Sequence, residues 1–461
     1  MSANPIHPSH VSVNPATERE IERFPLMDAP TIDRRLAGAL SAAAKLRSMG
    51  AGRRSQVLRD LAKALRSEAD RFARVITAEM GRPLGEARFE MLKSAECCEY
   101  YAEVGPKNLA DEPTKSDSPA SRVVFEPLGP VLLIAPWNLP VWQVLRFVIP
   151  AVAAGNPVVL KHAPNVSRCA LELEALFLQS DLPAGTLTSL IVDIAQTERV
   201  IADPRVRLIA FTGSTVTGAR VAALAGAAVK KCLLELGGSD AFIVLRDADV
   251  AESARVGARS RFLNAGQTCL AAKRFLIADE VAEGFEEAVA VLADAVRVGD
   301  PTASVDMGPL ARADLREKVE MQVQSALAGG ARLLTGGNRP FERGFFYRPT
   351  VLAGCTPDMA VFREETFGPV LPMMRVRNID HALQVANQSI YGLSAAVWTR
   401  DDAAAEYAAS KLETGGVFVN GMTHSDPRIP FGGIKASGYG RDLGRFIVRD
   451  LCNIKTLWKP H

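Results

Sequence analysis

The chain has no Cys-x-x-Cys pair, no His at metal-ligand spacing from another His or a Cys, no long apolar run and no block of like charge. Each absence removes a class of function. The seven cysteines (Cys97, Cys98, Cys169, Cys232, Cys269, Cys355 and Cys452) are odd in number and scattered. In a chain of 461 residues that pattern reads as reduced thiols in a cytoplasmic protein. Six dispersed histidines offer no ligand set, so no catalytic metal is expected. No stretch approaches the ~18 apolar residues of a membrane span. The opening Met-Ser-Ala-Asn-Pro-Ile-His-Pro lacks the charged start and apolar core of a signal peptide. A formal net charge of +2 with no basic tail argues against nucleic acid or a membrane surface as partner. Internal repeats and low-complexity segments are also missing.

What is there is an ordinary globular composition, 48% hydrophobic and 23% charged. The length exceeds the ~250–300 residues at which single cores stop growing, so two or more domains are expected. Up to about Asn108 the pattern is helical, over Ala29–Ser48, Ser55–Met80 and Glu86–Gly105, with a break at Gly81-Arg82-Pro83-Leu84-Gly85. The polar stretch Asp111–Pro119 reads as a loop or as the turn of an extended hairpin. From Val123 strands and helices alternate. Strands are expected at Val131–Ala135, Pro157–Lys161, Leu187–Val192 and Leu208–Thr212, with a helix at Val141–Ala154 that Pro150 should kink or shorten. A second alternating block starts at Cys232. Its strands are expected at Ala241–Leu245, Arg274–Ile277, Ala331–Thr335, Val370–Val376, Leu393–Trp398 and Gly416–Asn420. Such alternation implies doubly wound, mostly parallel sheets. Asn453–Lys459 alternates weakly and suits an added edge strand. The fold class is α/β, two such domains with a site between them.

Several short segments can carry chemistry. Cys269 follows a Gly266-Gln267-Thr268 turn and precedes an apolar strand, which can present a sulfur as nucleophile or simply bury it. Phe211-Thr212-Gly213-Ser214, with Gly218 beyond, follows a strand and opens a helix. That is either a phosphate-binding turn or a plain strand-to-helix turn capped by Ser or Thr. Asn138, framed by Pro136-Trp137 and Pro140, can aim an amide at an oxyanion or cap the next helix. Glu235 ends an apolar strand. Desolvation there would raise its pKa into the range of a general base, unless an Arg or Lys pairs with it. Lys161 can reach a nucleotide or sit solvated at a strand end. In Glu364-Glu365-Thr366-Phe367-Gly368-Pro369 a carboxylate can hold ribose and Phe367 can pack on a flat ring, or the segment is an ordinary acidic loop.

Taken together, Pro136-Trp137-Asn138, Phe211-Thr212-Gly213-Ser214, Leu234-Glu235-Leu236-Gly237-Gly238, Gly266-Gln267-Thr268-Cys269, Glu364-Glu365-Thr366-Phe367-Gly368-Pro369-Val370 and Pro430-Phe431-Gly432-Gly433-Ile434-Lys435-Ala436-Ser437-Gly438 resemble the aldehyde dehydrogenase superfamily over nearly the whole chain. The resemblance implies a Rossmann-like cofactor domain, a catalytic domain and an oligomerisation arm. Residues 1–109 and 129–234 would bind dinucleotide, 235–428 would be catalytic, and 110–128 with 429–461 would bridge subunits of a homodimer or homotetramer. Cys269 would be nucleophile, Glu235 general base and Asn138 oxyanion donor. Trp137, Lys161, Gly213, Ser214, Glu365 and Phe367 would contact the cofactor.

Leu160-Lys161-His162-Ala163-Pro164-Asn165, Lys230–Asp240 and Ala271–Phe275 look like bacterial succinate-semialdehyde dehydrogenases of the shorter type. The implied small-molecule substrate is an aldehyde with a carboxylate, which needs a cation or several donors. Arg146, in an otherwise apolar helix, is the first candidate, either there or as a snorkelling or paired Arg. Ser425 is the second substrate contact expected, with Arg261, His424 and Arg428 as other possible groups. Leu263 stands where some relatives carry a second substrate Arg. Pro164 stands where many NAD-preferring relatives carry a ribose-holding Glu, so the cofactor expected is NAD or NADP, with Lys161 and His162 able to tolerate a 2′-phosphate.

Overall fold

The computed structural model describes residues 8–118 and 120–459. Residues 1–7, Pro119 at the end of the expected arm, and residues 460–461 lie outside that description. Two sheets organise the molecule. The first runs Gly438–Tyr439, Lys231–Glu235, Leu208–Thr212, Val131–Ile134, Val158–Lys161, Leu187–Ser189. All neighbours are parallel except Gly438–Tyr439, which lies antiparallel against Leu234 and Glu235. Every residue of Val-Leu-Leu-Ile at 131–134 is buried, as expected of a strand covered on both faces.

The second sheet has seven strands: Arg332–Thr335, Thr350–Ala353, Val370–Val376, Ala272–Ala278, Asp240–Val244, Ser394–Trp398 and Gly416–Val419. Its first strand is antiparallel and the rest parallel. The alternation expected in the second block starts one strand later than its pattern suggested, because Lys231–Glu235 completes the first sheet. The chain crosses between sheets over Leu236–Ser239. Each sheet has its own core, one around Leu133, Phe147 and Val158, the other around Phe242, Phe275 and Phe285.

The N-terminal region is helical from Ala29, but it begins with a hairpin, Ser9–Val13 on Glu20–Pro25, that the helical pattern did not foretell. The first two expected helices merge into Ala29–Ser67, kinked at Gly50 (φ 73°), and Ala69–Met80. The third, Leu84–Asn108, starts after Pro83. Helix Trp142–Ala154 runs on past Pro150 without shortening. Strand Thr350–Ala353 was not expected.

The tail does not extend either main sheet. Cys452–Leu457 pairs antiparallel with Arg122–Pro127, which also takes Glu112–Pro113, in a separate three-stranded sheet. The stretch around Asp111 is therefore the hairpin alternative rather than a loop. Among the described residues no helix is long and apolar enough to cross a membrane.

Candidate active site

In the first sheet the strand order reverses beside Val131–Ile134. The next strand in sequence lies on one side, and Leu208–Thr212 lies on the other. The crevice outside the carboxyl ends of strands at such a reversal is the binding point of open α/β sheets. Pro136-Trp137-Asn138 and Gly213-Ser214 leave these two strands there, and Lys161 ends the adjacent one.

The turn before Cys269 is unusual backbone. Asn264 (φ 54°), Ala265 (φ 52°) and Gly266 (φ 72°) follow one another in the left-handed region. For Asn and Ala this is strained and must be held by the surroundings. Asn264 Nδ2 donates to the carbonyls of Asn138 (2.9 Å) and Gln267 (3.1 Å). Asn138 Nδ2 donates to the same Gln267 carbonyl at 2.9 Å. The Gln267 side chain accepts from Ala311 N (2.9 Å) and donates to the Asn264 carbonyl (3.0 Å). At Gly266 any Cβ would strike the Gly368 carbonyl. The result is a thiol on immobilised backbone.

Cys269 is half-buried while five of the other six cysteines are buried. Burial pushes its thiol up to about 11, with Arg146 and Lys273 pulling the other way. Lys273 is fully buried, and its ammonium donates to the Cys269 carbonyl and to Glu365 Oε1 (3.1 Å).

Glu235, the last residue of its strand, is buried, and among the described residues neither carboxylate oxygen has a partner at hydrogen-bond geometry, the Asp442 backbone being the polar group nearby. Burial holds its pKa well above the carboxylate range, and Asp442 adds to the rise, against Arg146 and Arg441. Such a group holds a proton to higher pH than an exposed Glu and is a stronger proton acceptor once ionised. Space for it comes from Gly432, where a Cβ would come within 2.5 Å of Oε1.

Glu365 is held quite differently. Beyond Lys273, its Oε1 accepts from Gly238 N (3.2 Å), and a Cβ on Gly237 would collide with its other oxygen. The paired glycines of 237–238 make its cradle. Phe367 meets the half-buried Trp137 edge-on, with ring centres 5.7 Å apart. Lys161, whose pKa burial lowers, borders an apolar groove of about 290 Å³ with Ile134, Phe211, Val216 and Leu224. Ser214 caps helix Thr215–Ala227, accepting from Thr217 N. Gly213 lets the turn lie on the Phe211 ring, and Gly218 packs the helix on Leu236.

The expected substrate cations fall out unevenly. Arg146 is buried beside Glu235, with Nε 3.0 Å from Asp442 and its guanidinium over the Phe431 ring. The paired-Arg alternative therefore describes its present contacts, and part of its charge is matched. Arg261 is a correction: it is buried and donates to the carbonyls of Thr366 (2.8 Å) and Gly368, so it braces the Glu365–Phe367 loop. Arg428 is exposed and paired with Asp426 (2.5 Å). His424 is exposed, bound to the Met422 carbonyl. Ser425 is buried and meets Lys93 Nζ (2.9 Å) and Trp142 Nε1 (3.1 Å). His162 cannot serve a 2′-phosphate. It is buried, its Nδ1 accepts from Ala163 N, its Nε2 faces the Pro140 carbonyl at 2.8 Å, and burial lowers it to about 4. It is a neutral structural imidazole.

Sequence reasoning passed over Lys93, Lys273 and Asp442. Lys273 lies four residues after Cys269 in an apolar strand, a signal that was available. Lys93 and Asp442 sit at ordinary helix and loop positions and carry none.

The family model for the aldehyde dehydrogenase family matches residues 5–457. The chain belongs to the aldehyde dehydrogenase family. It is 44% identical over 450 residues to the succinate semialdehyde dehydrogenase [NAD(P)+] of Escherichia coli K12, covering 97% of both chains. To the succinate-semialdehyde dehydrogenase [NADP(+)] 1 of Mycobacterium tuberculosis H37Rv it is 41% identical over 451 residues, covering 97% of this chain and 99% of the other. Among solved structures, the succinic semialdehyde dehydrogenase of Streptococcus pyogenes in complex with NADP+ superposes with a TM-score of 0.95 at 35% identity, covering 98% of this chain and all of that one. The two parallel sheets and the crevice between them are the aldehyde dehydrogenase fold. Among the described residues, no group of three or more His, Cys, Asp or Glu can hold a metal ion.

Proposed function

We propose that this aldehyde dehydrogenase oxidises a short aldehyde bearing a carboxylate, with succinate semialdehyde first and glutarate semialdehyde next, to the corresponding acid with NAD or NADP. The observation that carries the chemistry is Glu235. A buried carboxyl with no partner on either oxygen is costly unless the site uses it. The names of the relatives support the substrate and the cofactor.

The residues present fit a dinucleotide. Trp137 and Phe367 frame an aromatic wall, Glu365 is fixed where it can accept from ribose hydroxyls, Lys161 and Thr217 line the groove, and the Gly213-Ser214 turn opens the helix that carries Thr217. When bound, the nicotinamide supplies the hydride acceptor. The protein does the rest. Cys269 Sγ gives its proton to water and bonds to the aldehyde carbon, the thiolate aided by the charges of Arg146 and Lys273. The carbonyl oxygen becomes an oxyanion, which the second Asn138 amide hydrogen and the Cys269 backbone N–H stabilise. After oxidation the acyl group remains on sulfur as a thioester. Glu235 takes a proton from water, the water oxygen bonds to the acyl carbon, and the C–S bond breaks to release acid and thiolate. Arg146 supplies positive potential, and Ser425 a hydroxyl, on the side of the substrate remote from sulfur.

We assign residues 1–109 with 129–234 to cofactor, 235–428 to catalysis, and 110–128 with 429–461 to subunit bridging, the last segment also lending Gly438–Tyr439 to the first sheet and Asp442 to Arg146. The exposed Ile454 and Trp458 on the tail give a homodimer or homotetramer an apolar surface to cover. Seven free thiols suit a cytoplasmic setting.

The test is steady-state turnover of succinate semialdehyde, glutarate semialdehyde and uncharged aldehydes of similar length, with each cofactor, without coenzyme A. Acid formation with preference for the carboxylated aldehydes is expected. No reduction of either cofactor by any aldehyde would refute the enzyme reading, and strict need for coenzyme A would reassign the acceptor.

A further inference from the structure

Around helix Leu84–Asn108 and the helix after Asn138, nearly every charge is matched. Glu90 receives Arg82 (2.6 Å) and the backbone N–H groups of Val141 and Trp142, both at 2.7 Å. Asp442 takes Arg146, and Asp426 takes Arg428. The exposed Glu96 aside, Lys93 is the exception. Among the described residues no carboxylate lies within 4.0 Å of its ammonium. Its Nζ sits 4.3 Å from the centre of the Trp142 ring and 2.9 Å from Ser425 Oγ. Trp142 is four residues after Asn138 on the same polypeptide turn. Ser425 follows Thr423, whose hydroxyl donates to the carbonyl of Leu270, next to the nucleophile. The cation is thus held at the seam between the two segments that flank Cys269.

We propose that Lys93 is a specificity-determining residue that receives the carboxylate end of the substrate, with Ser425 and the Trp142 indole as its rigid frame. The proposal rests on the semialdehyde reading above and deepens it. Trp142 and Ser425 position the ammonium while leaving its net charge unneutralised, which an incoming anion would complete. Arg146, already facing Asp442, adds potential from behind. Burial, with repulsion from Arg146 and Arg82, lowers the Lys93 ammonium to about 8. The groups facing it are Arg146 on the neighbouring helix, Arg82 before its own helix, Cys97 one turn on, and Asp426 on the C-terminal loop. Its charge is therefore present at neutral pH and lost under mildly alkaline conditions.

The experiment compares kcat/KM for succinate semialdehyde and butanal on the full-length enzyme with cofactor. Lys93→Met should lower the charged-to-neutral ratio about ten-fold or more, chiefly through KM, and Lys93→Arg should restore most of it. In the wild type, KM for succinate semialdehyde should rise above roughly pH 8 while that for butanal does not follow, and Lys93→Arg should remove the rise. A Lys93→Met ratio within about two-fold of wild type overturns the proposal while leaving the semialdehyde reading intact. A wild type with no preference for the charged aldehyde overturns both. Should Lys93→Met fail to fold, the wild-type profile decides: a KM ratio flat from about pH 7 to 9.5 overturns the role of Lys93.

Discussion

Glu235 and Glu365 are the same residue type, one ending a strand of the first sheet and the other on a loop before a strand of the second, and the fold treats them in opposite ways. Glu235 closes a strand of the first sheet with both oxygens unpartnered and its pKa driven upward by burial. Glu365 stands on a loop of the second sheet, with an ammonium and a backbone N–H on one oxygen. The first can trade a proton during a reaction cycle. The second is held still by those donors, as a contact for a bound molecule requires. Environment, not residue type, assigns the role.

The largest effect expected from breaking this contrast is on Glu235. Glu235→Gln removes the base but keeps the shape, so steady-state turnover should fall by about 10²–10⁴. A pre-steady-state burst of reduced cofactor should survive, because hydride transfer precedes hydrolysis; loss of the burst along with turnover would count against a base for hydrolysis. Next comes Lys273→Met, which leaves Glu365 and Asp240 without their buried cation. Burial already holds Asp240 up to about 7. Unfolding in urea should show about 3–5 kcal/mol lost. A loss under about 1 kcal/mol would mean the network is not what fixes Glu365. Glu365→Gln should raise the KM for cofactor about ten-fold with a smaller change in kcat, since a neutral amide still accepts one hydrogen bond.

The smallest effect concerns stability. Because the folded-state pKa of Glu235 lies above the unfolded value, its contribution is fully present below the unfolded pKa and is lost as pH rises through the folded pKa. Glu235→Gln abolishes that loss. Thermal scans should therefore show the variant gaining on the wild type as pH rises above the ordinary carboxylate range, by a few degrees in Tm. An unchanged difference across that range would mean Glu235 is not destabilised when ionised.

Much of this contrast was visible in the linear chain, though not all of it. A Glu at the end of Leu-Leu-Glu reads as a carboxyl in apolar surroundings because Leu233 and Leu234 before it are buried on a covered sheet. Cys269 after a glycine turn reads as displayed sulfur for a similar local reason. Nothing local distinguishes Glu365 from its neighbour Glu364, since its partners Lys273 and Gly238 are 92 and 127 residues away. Arg146 was singled out because a charge inside an apolar helix needs a reason. The reason found, Asp442, lies far along the chain and could not be read from Arg146 itself. The N-terminal hairpin was hidden because Ser9–Val13 and Glu20–Pro25 are short and half-polar, leaving little period to detect.

What the sequence alone determined is the repertoire: α/β sheets from alternating apolar runs and helices, one displayed thiol, one desolvated acid, glycines where backbone must come close, and family membership through ordered motifs. These are properties of residues and their near neighbours, so they survive without coordinates. The tertiary structure decided which charges are matched and which are left over. The sequence put Arg146 first, with Arg261 and Arg428 behind it, but each already meets a carboxylate or carbonyls, while among the described residues Lys93 meets a ring and a hydroxyl and no carboxylate. Charge pairing depends on distances between segments hundreds of residues apart, and only the folded chain sets those distances.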